Sequence, residues 1–142
     1  MEIEFYDKNI IDNNKLLYAI IVARHKGKWI FVKHKERDTW EIPAGHREVG
    51  EDINYTAERE LFEETGAKSF NIEYINDYSL IFNGEKSYAA LFFAEIYSLG
   101  ELPDFEIREV KDFDDIPKDL TYPNIQPYLF KKVKDEINEF VF

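Results

Sequence analysis

The 142-residue chain contains no cysteine. That excludes disulfides, thiolate zinc sites and cysteine nucleophiles, and it leaves the redox compartment open. Glycine is scarce at six and proline at five, and no low-complexity tract, internal repeat or domain boundary interrupts the chain. Long hydrophobic runs are missing too: the longest, Leu16 to Ala23, falls far short of the roughly 20 residues a membrane-spanning helix needs. The opening MEIEFYDKN lacks a basic region followed by an apolar stretch, so no signal peptide is visible and a cytoplasmic protein without membrane contact is expected. Basic residues number only 18 against 29 acidic ones, a net charge of −11. Such a balance argues against long-range attraction of nucleic acid, and no stable nucleic-acid complex is expected. A polyanionic substrate would depend on local cations, either bound metal or the basic segment Arg24 to Arg37.

What is present suffices for a folded domain. Hydrophobic residues make up 44%, with twelve Phe and nine Tyr, and the length fits one domain over residues 1–142. Met1 to Asp12 alternates weakly and reads as an edge strand. Leu17 to Arg24 reads as a buried strand, and a turn at His25 to Lys28 returns it as Trp29 to Lys33. After a polar loop, Trp40 to Pro43 is a short extended piece. Phe70 to Phe82 and Ser87 to Tyr97 read as strands joined by an Asn83-Gly84 hairpin turn. Ile107 to Phe113 is a further strand. An amphipathic helix is expected over Asn124 to Phe140, with Leu129, Val133, Ile137 and Val141 spaced by four. Strands, helix, strands and helix suggest a mixed sheet covered on both faces.

Between these parts lies the stretch from Ala44 to Ala67, AGHREVGEDINYTAERELFEETGA, read as a loop, a helix over Ile53 to Thr65, and a second loop. Gly45 and Gly50 are read as keeping the approach flexible, and Gly66 as the left-handed helix stop. Helical periodicity places Glu60, Glu63 and Glu64 together on one face, with Ile53, Ala57 and Leu61 beside it as a core anchor. Crowded carboxylates repel one another unless a cation sits among them. Hard divalent ions take oxygen ligands of this kind and are completed by substrate phosphates.

Gly45, five residues, Glu51, seven residues, Arg59-Glu60-Leu61, one residue, Glu63-Glu64, one residue, Gly66-Ala67 resembles the Nudix box at every defined position. The resemblance implies the Nudix fold, an α/β/α sandwich with a mixed sheet, and a pyrophosphohydrolase using Mg²⁺, with Mn²⁺ as a substitute. It implies Glu60 and Glu64 as metal ligands with Glu63 close behind, and the Ala44 carbonyl as another. Glycine is the commoner residue at that carbonyl position. Arg59 would orient the catalytic glutamates with Glu51 reaching toward it, and the base is either Glu60 or a carboxylate from a distant loop. Glu106 precedes the Ile107 strand much as a loop glutamate does in MutT-like enzymes, with Glu101 and Glu109 as competitors.

Asn124 has two readings, a helix cap or the amide that pairs with a purine edge. His34 and Arg24 are candidates to meet a phosphate or base, and Phe82, Phe92 and Tyr18 to stack one. MutT-like resemblance favours a nucleoside triphosphate, above all an oxidised purine such as 8-oxo-dGTP, cleaved to a monophosphate and pyrophosphate. A triphosphorylated RNA end, a dinucleoside polyphosphate or a nucleotide sugar stay open as substrates. So do homodimerisation and a non-catalytic nucleotide sensor.

Overall fold

Along Leu16–His25 (β2), apolar residues follow one another without polar alternation, the pattern of a strand covered on both faces. The computed structural model, which describes residues 2–138, shows where each face goes. Ala19, Ile21 and Ala23 enter one core with Ile53, Ala57 and Leu61 of α1 (Ile53–Thr65). The opposite parity, Tyr18, Ile20 and Val22, joins a second core with Leu129, Phe130, Val133 and Ile137 of α2 (Gln126–Asn138). Glu85–Leu99 (β6) splits in the same way, Ala90, Phe92 and Ala94 to one side and Ala89, Leu91 and Phe93 to the other. The result is an α/β/α sandwich, with one helix on each face of the sheet.

The sheet runs β1 (Glu2–Asp7), β5 (Ala67–Phe82), β6, β2, β3 (Lys28–His34), β7 (Ile107–Phe113), with β4 (Ala44–His46) paired to β2 off this path. Only β2 and β6 run parallel, so the sheet is mixed. One edge of β2 is shared. β3 stays with it only at Ala23, Arg24 and His25 before turning to β7, and β4 takes over at Tyr18, Ala19 and Ile20. Trp40 to Pro43 fills the wedge between them. Val32 and Glu41 exchange backbone hydrogen bonds of 2.9 and 2.8 Å, and the Ile21 N–H donates to the Pro43 carbonyl at 2.8 Å. This divergence of β3 from β4 brings the strand ends and the two helices around one cavity.

Three expectations shift. The Ala44 loop is a strand at its start, because its backbone completes the β2 edge. No loop follows α1. Gly66 (φ 77°) leads straight into β5, which starts at Ala67, not Phe70. A Cβ on Gly66 would lie 2.7 Å from the Glu101 carbonyl oxygen, so glycine is required there by space as well as by φ. Finally, α2 starts at Gln126, two residues after Asn124. The expected continuation to Phe140 and Val141, and the start of the first strand at Met1, lie outside the described residues.

Candidate active site

The helix α1 is anchored at its start by two side chains. Asp52 Oδ1 accepts from the Asn54 N–H at 2.8 Å, and Asn13 Oδ1 accepts from the Ile53 N–H at 2.8 Å. With the register fixed, Glu60, Glu63 and Glu64 line a cavity of about 660 Å³ together with Arg59, Ala44, His34, Glu41 and Glu106. Its other wall, built from β2, β5, α2 and the turn before α2, is apolar: Ile20, Tyr78, Leu80, Ile125 and Leu129, interrupted by Gln126. One cavity therefore offers an acidic side and an apolar side.

Arg59 organises the acidic side. Its guanidinium donates to Glu51 through Nε (2.8 Å) and Nη2 (3.0 Å), and to Glu60 and Glu63 through Nη1 (2.8 and 2.9 Å). Nη2 also donates to the His46 carbonyl at 3.0 Å, tying α1 to β4. Such bidentate pairing holds both partners in one geometry. The Arg59 bond, helped by the Thr56 hydroxyl, pulls the Glu51 carboxyl down to about 2.

Glu60 and Glu64 go the other way. Burial raises the Glu60 carboxyl to about 7, with Arg59 opposing and the Glu63 charge adding. Burial raises Glu64 to about 9, its hydrogen bond from the Ala44 N–H (2.9 Å) opposing and the charges of Glu60, Glu41 and Glu106 adding. His34 stands among the acids, Nε2 3.3 Å from Glu41 and 3.9 Å from Glu64, and Nδ1 3.9 Å from Glu106.

The donors suit a hard cation. The glutamates and the Ala44 carbonyl offer oxygen, and two desolvated carboxylates press against each other's charge, which a divalent ion would offset. Glu60, Glu63 and Glu64, with the Ala44 carbonyl and Glu106, are the groups within the cavity that would hold it. Among the described residues no three acidic or histidine side chains already stand in a holding arrangement. Glu60 and Glu63 are turned onto Arg59, and Glu64 onto the Ala44 N–H.

The remaining candidates divide. His34, Glu106 and Tyr18 line the cavity, Tyr18 with its ring 4.4 Å from that of His46. Four others do not reach it. Arg24 is held by Glu95 at 2.7 Å, its guanidinium over the rings of Trp29 and Phe93, where β2 and β6 pair side by side. Phe82 is an exposed residue at the β5–β6 hairpin, because the strands run on past the cavity. Asn124 is exposed in the turn before α2, two residues ahead of the helix's first residue and outside the cavity lining. Phe92 is 1% exposed in the core. Neither Glu101 nor Glu109 lines the cavity, the latter pairing with Lys33 in the sheet.

Sequence reasoning missed Glu41 and Gln126. Glu41 is 6% exposed and accepts from Arg37 (2.7 Å) and the Thr121 hydroxyl (3.0 Å). Its signal was an acid between Trp40 and Ile42, a polar residue inside an apolar extended piece.

Residues 12–132 match the NUDIX domain family. Over 145 aligned residues, 95% of this chain and 90% of the relative, the chain is 27% identical to "Putative 8-oxo-dGTP diphosphatase YtkD" of Bacillus subtilis (strain 168). A shorter match, 33% over 101 residues and 34% of the relative's length, is to the NAD-capped RNA hydrolase NudC of Actinobacillus succinogenes. Among solved structures, a mutant of the Bacillus subtilis pyrophosphohydrolase BsRppH superposes with a TM-score of 0.78 at 26% identity, over 95% of this chain and 90% of that one. With the box, the sandwich and the Arg59-centred glutamates in place, the chain belongs to the Nudix family and is a Nudix pyrophosphohydrolase.

Proposed function

We propose that the protein is a Mg²⁺-dependent pyrophosphohydrolase of nucleoside triphosphates, acting above all on an oxidised purine nucleotide such as 8-oxo-dGTP. The observation that carries the reading is the two-sided cavity: half-buried Glu60 and buried Glu64 on one wall and an apolar wall with a single amide on the other. Phosphates and their cation suit the first wall, and a flat base suits the second. The relation to YtkD over nearly the whole chain supports the same substrate class.

Hydrolysis adds water across a phosphoanhydride: the water oxygen bonds to phosphorus, the bridging P–O bond breaks, and one proton leaves the water. A bound divalent cation would supply neutralisation of the phosphate charge and a more acidic water. The chain's own residues supply the rest. Glu60 is one carboxylate placed to take that proton, the role general-base catalysis asks of a side chain within reach of the water. Arg59 keeps Glu60 and Glu63 oriented, and Glu51 keeps Arg59 in place. Glu106, largely exposed at the cavity mouth, is the loop carboxylate available as a further ligand or base. A strongly acidic chain disfavours long RNA relative to a free nucleotide.

The test is a panel of 8-oxo-dGTP, dGTP, ATP, ADP-ribose, a dinucleoside polyphosphate and triphosphorylated RNA, each incubated with Mg²⁺ and resolved by product. Highest kcat/KM for the oxidised triphosphate, with monophosphate and pyrophosphate released, is the expected outcome. Preference for RNA or ADP-ribose would replace the substrate, and no turnover of any member would overturn the enzymatic reading.

A further inference from the structure

The sheet ends on β1 at one side and β7 at the other, each paired along one edge only. Among the described residues, β3 alone bonds the β7 backbone. A free strand edge is a template for another strand, and proteins ordinarily guard it with charge. β1 does so with one sign: its charged residues are Glu2, Glu4 and Asp7, so a second copy laid against them would bring acid to acid. β7 differs. Its sequence, Ile-Arg-Glu-Val-Lys-Asp-Phe, is complementary to itself read backwards. Two antiparallel copies centred on Val110 set Glu109 opposite Lys111, Arg108 opposite Asp112 and Ile107 opposite Phe113. Every pair is then apolar or oppositely charged, and residues opposite one another share a face of the sheet, where such pairs interact. Arg108, Glu109, Lys111 and Asp112 are all exposed. Arg108 gives only Nη2 to this chain, to Asp38 at 2.6 Å and the Arg37 carbonyl at 2.7 Å.

We infer that β7 is a self-association edge: two copies of this chain join antiparallel about a two-fold axis at Val110, making one continuous sheet. The register of β7 on β3 shifts beside Arg108, between Lys33 and His34, so the regular stretch Glu109-Val110-Lys111 carries the match. The two-fold arrangement uses both β7 edges and closes on itself. A β7 edge laid on β1 would leave a free edge at each end and grow into a filament. Each chain carries a net charge of −11, which opposes association, and one strand edge is small beside a standard interface. The dimer is therefore weak and concentration-dependent, and its choice of partner rests on the matched charges. It does not depend on which nucleotide the cavity takes.

Sedimentation equilibrium of the full chain tests it, from micromolar to millimolar protein at about 0.15 M salt, where the charges of whole chains are screened. The wild-type mass is expected to rise from one chain toward two. Glu109→Lys and Lys111→Glu should each weaken association about tenfold or more, because the two-fold axis repeats each reversal in two pairs. The double variant Glu109→Lys with Lys111→Glu restores every charge pair and should dimerise as wild type does. An equimolar mixture of the two single variants should form mixed dimers, since each strand then faces its opposite; a defect of folding would not be rescued by mixing. Asp112→Lys, which sets a cation against Arg108, repeats the measurement should either reversal fold poorly. A wild type with the mass of one chain throughout, or a mass that grows past two chains, overturns the inference. So does a dimer indifferent to both reversals, or a double variant or mixture that stays monomeric.

Discussion

Among single residues, Glu64 carries the largest unmet electrostatic demand. Burial keeps its carboxyl protonated up to about 9 in the fold, against 4.5 for an ordinary glutamate. The sign of the consequence is fixed by linkage: between those values the unfolded chain has released the proton and the folded chain still holds it. Without metal, stability therefore falls as pH rises through this window. Glu64→Gln removes that dependence, so melts in EDTA should place the variant above wild type near pH ~8 and close to it near pH ~5. Glu60→Gln should show the same trend over a narrower range, its carboxyl lying at about 7. Both variants should lose at least about 10²-fold in kcat, the scale of a lost base or electrostatic contact. Near wild-type turnover in both, at saturating Mg²⁺, would remove these glutamates from the mechanism.

Elements set how these residues meet, and β4 lies close against α1. Glu60 and Gly45 touch so closely that a Cβ on Gly45 would lie 1.9 Å from Glu60 Cδ. Gly45 is thus needed for proximity and not, as the sequence suggested, for a flexible loop. Gly45→Ala should leave the β2–β4 pairing and the melting temperature little changed, since a flexible side chain can move aside. Displacing Glu60 should nonetheless cut kcat by about 10²-fold, as misplacements near 1 Å do. A variant with full kcat would show that Glu60 need not sit where it does.

Arg59 ties the same elements through Glu51, whose carboxyl is held at about 2. A lowered acid stabilises the fold above its unfolded value of 4.5 and loses that contribution as pH falls toward 2. Arg59→Ala should accordingly melt below wild type at neutral pH, with the gap closing on acidification across that window. A gap independent of pH would assign Arg59 a packing role only.

Over the whole molecule, the acid excess of the chain and the acid wall of the cavity act together. A divalent cation held by the folded carboxylates and not by the unfolded chain raises the melting temperature with its concentration. Millimolar Mg²⁺ or Mn²⁺ should therefore raise the midpoint, EDTA should reverse it, and Glu64→Gln should shrink the shift. Added NaCl at equal ionic strength is the control, because general screening would raise it as well. No Mg²⁺-specific rise would mean that the turned-in glutamates do not open to a metal in the absence of nucleotide.

Local patterns were readable where chain connectivity alone dictates geometry. The spacing of Glu60, Glu63 and Glu64 put them on one face because a helix repeats every 3.6 residues, and the order of strands and helices suggested a mixed sheet covered on both faces. Arg59 beside Glu60 and Glu63 is likewise a helical neighbour, one and four residues away. Which distant segments face the helix is a different matter, because it depends on how β3 departs from β2 and lets β4 in. That departure brings Ala44 and Gly45 onto the glutamates, sets Glu41 and His34 among the acids, and carries Gln126 into the wall while leaving Asn124 outside. Arg24 and Phe82, equally plausible as isolated residues, are carried away by strands that continue past the cavity. No period in the sequence encodes such meetings; they follow from the burial of both sheet faces and the sharing of one strand edge.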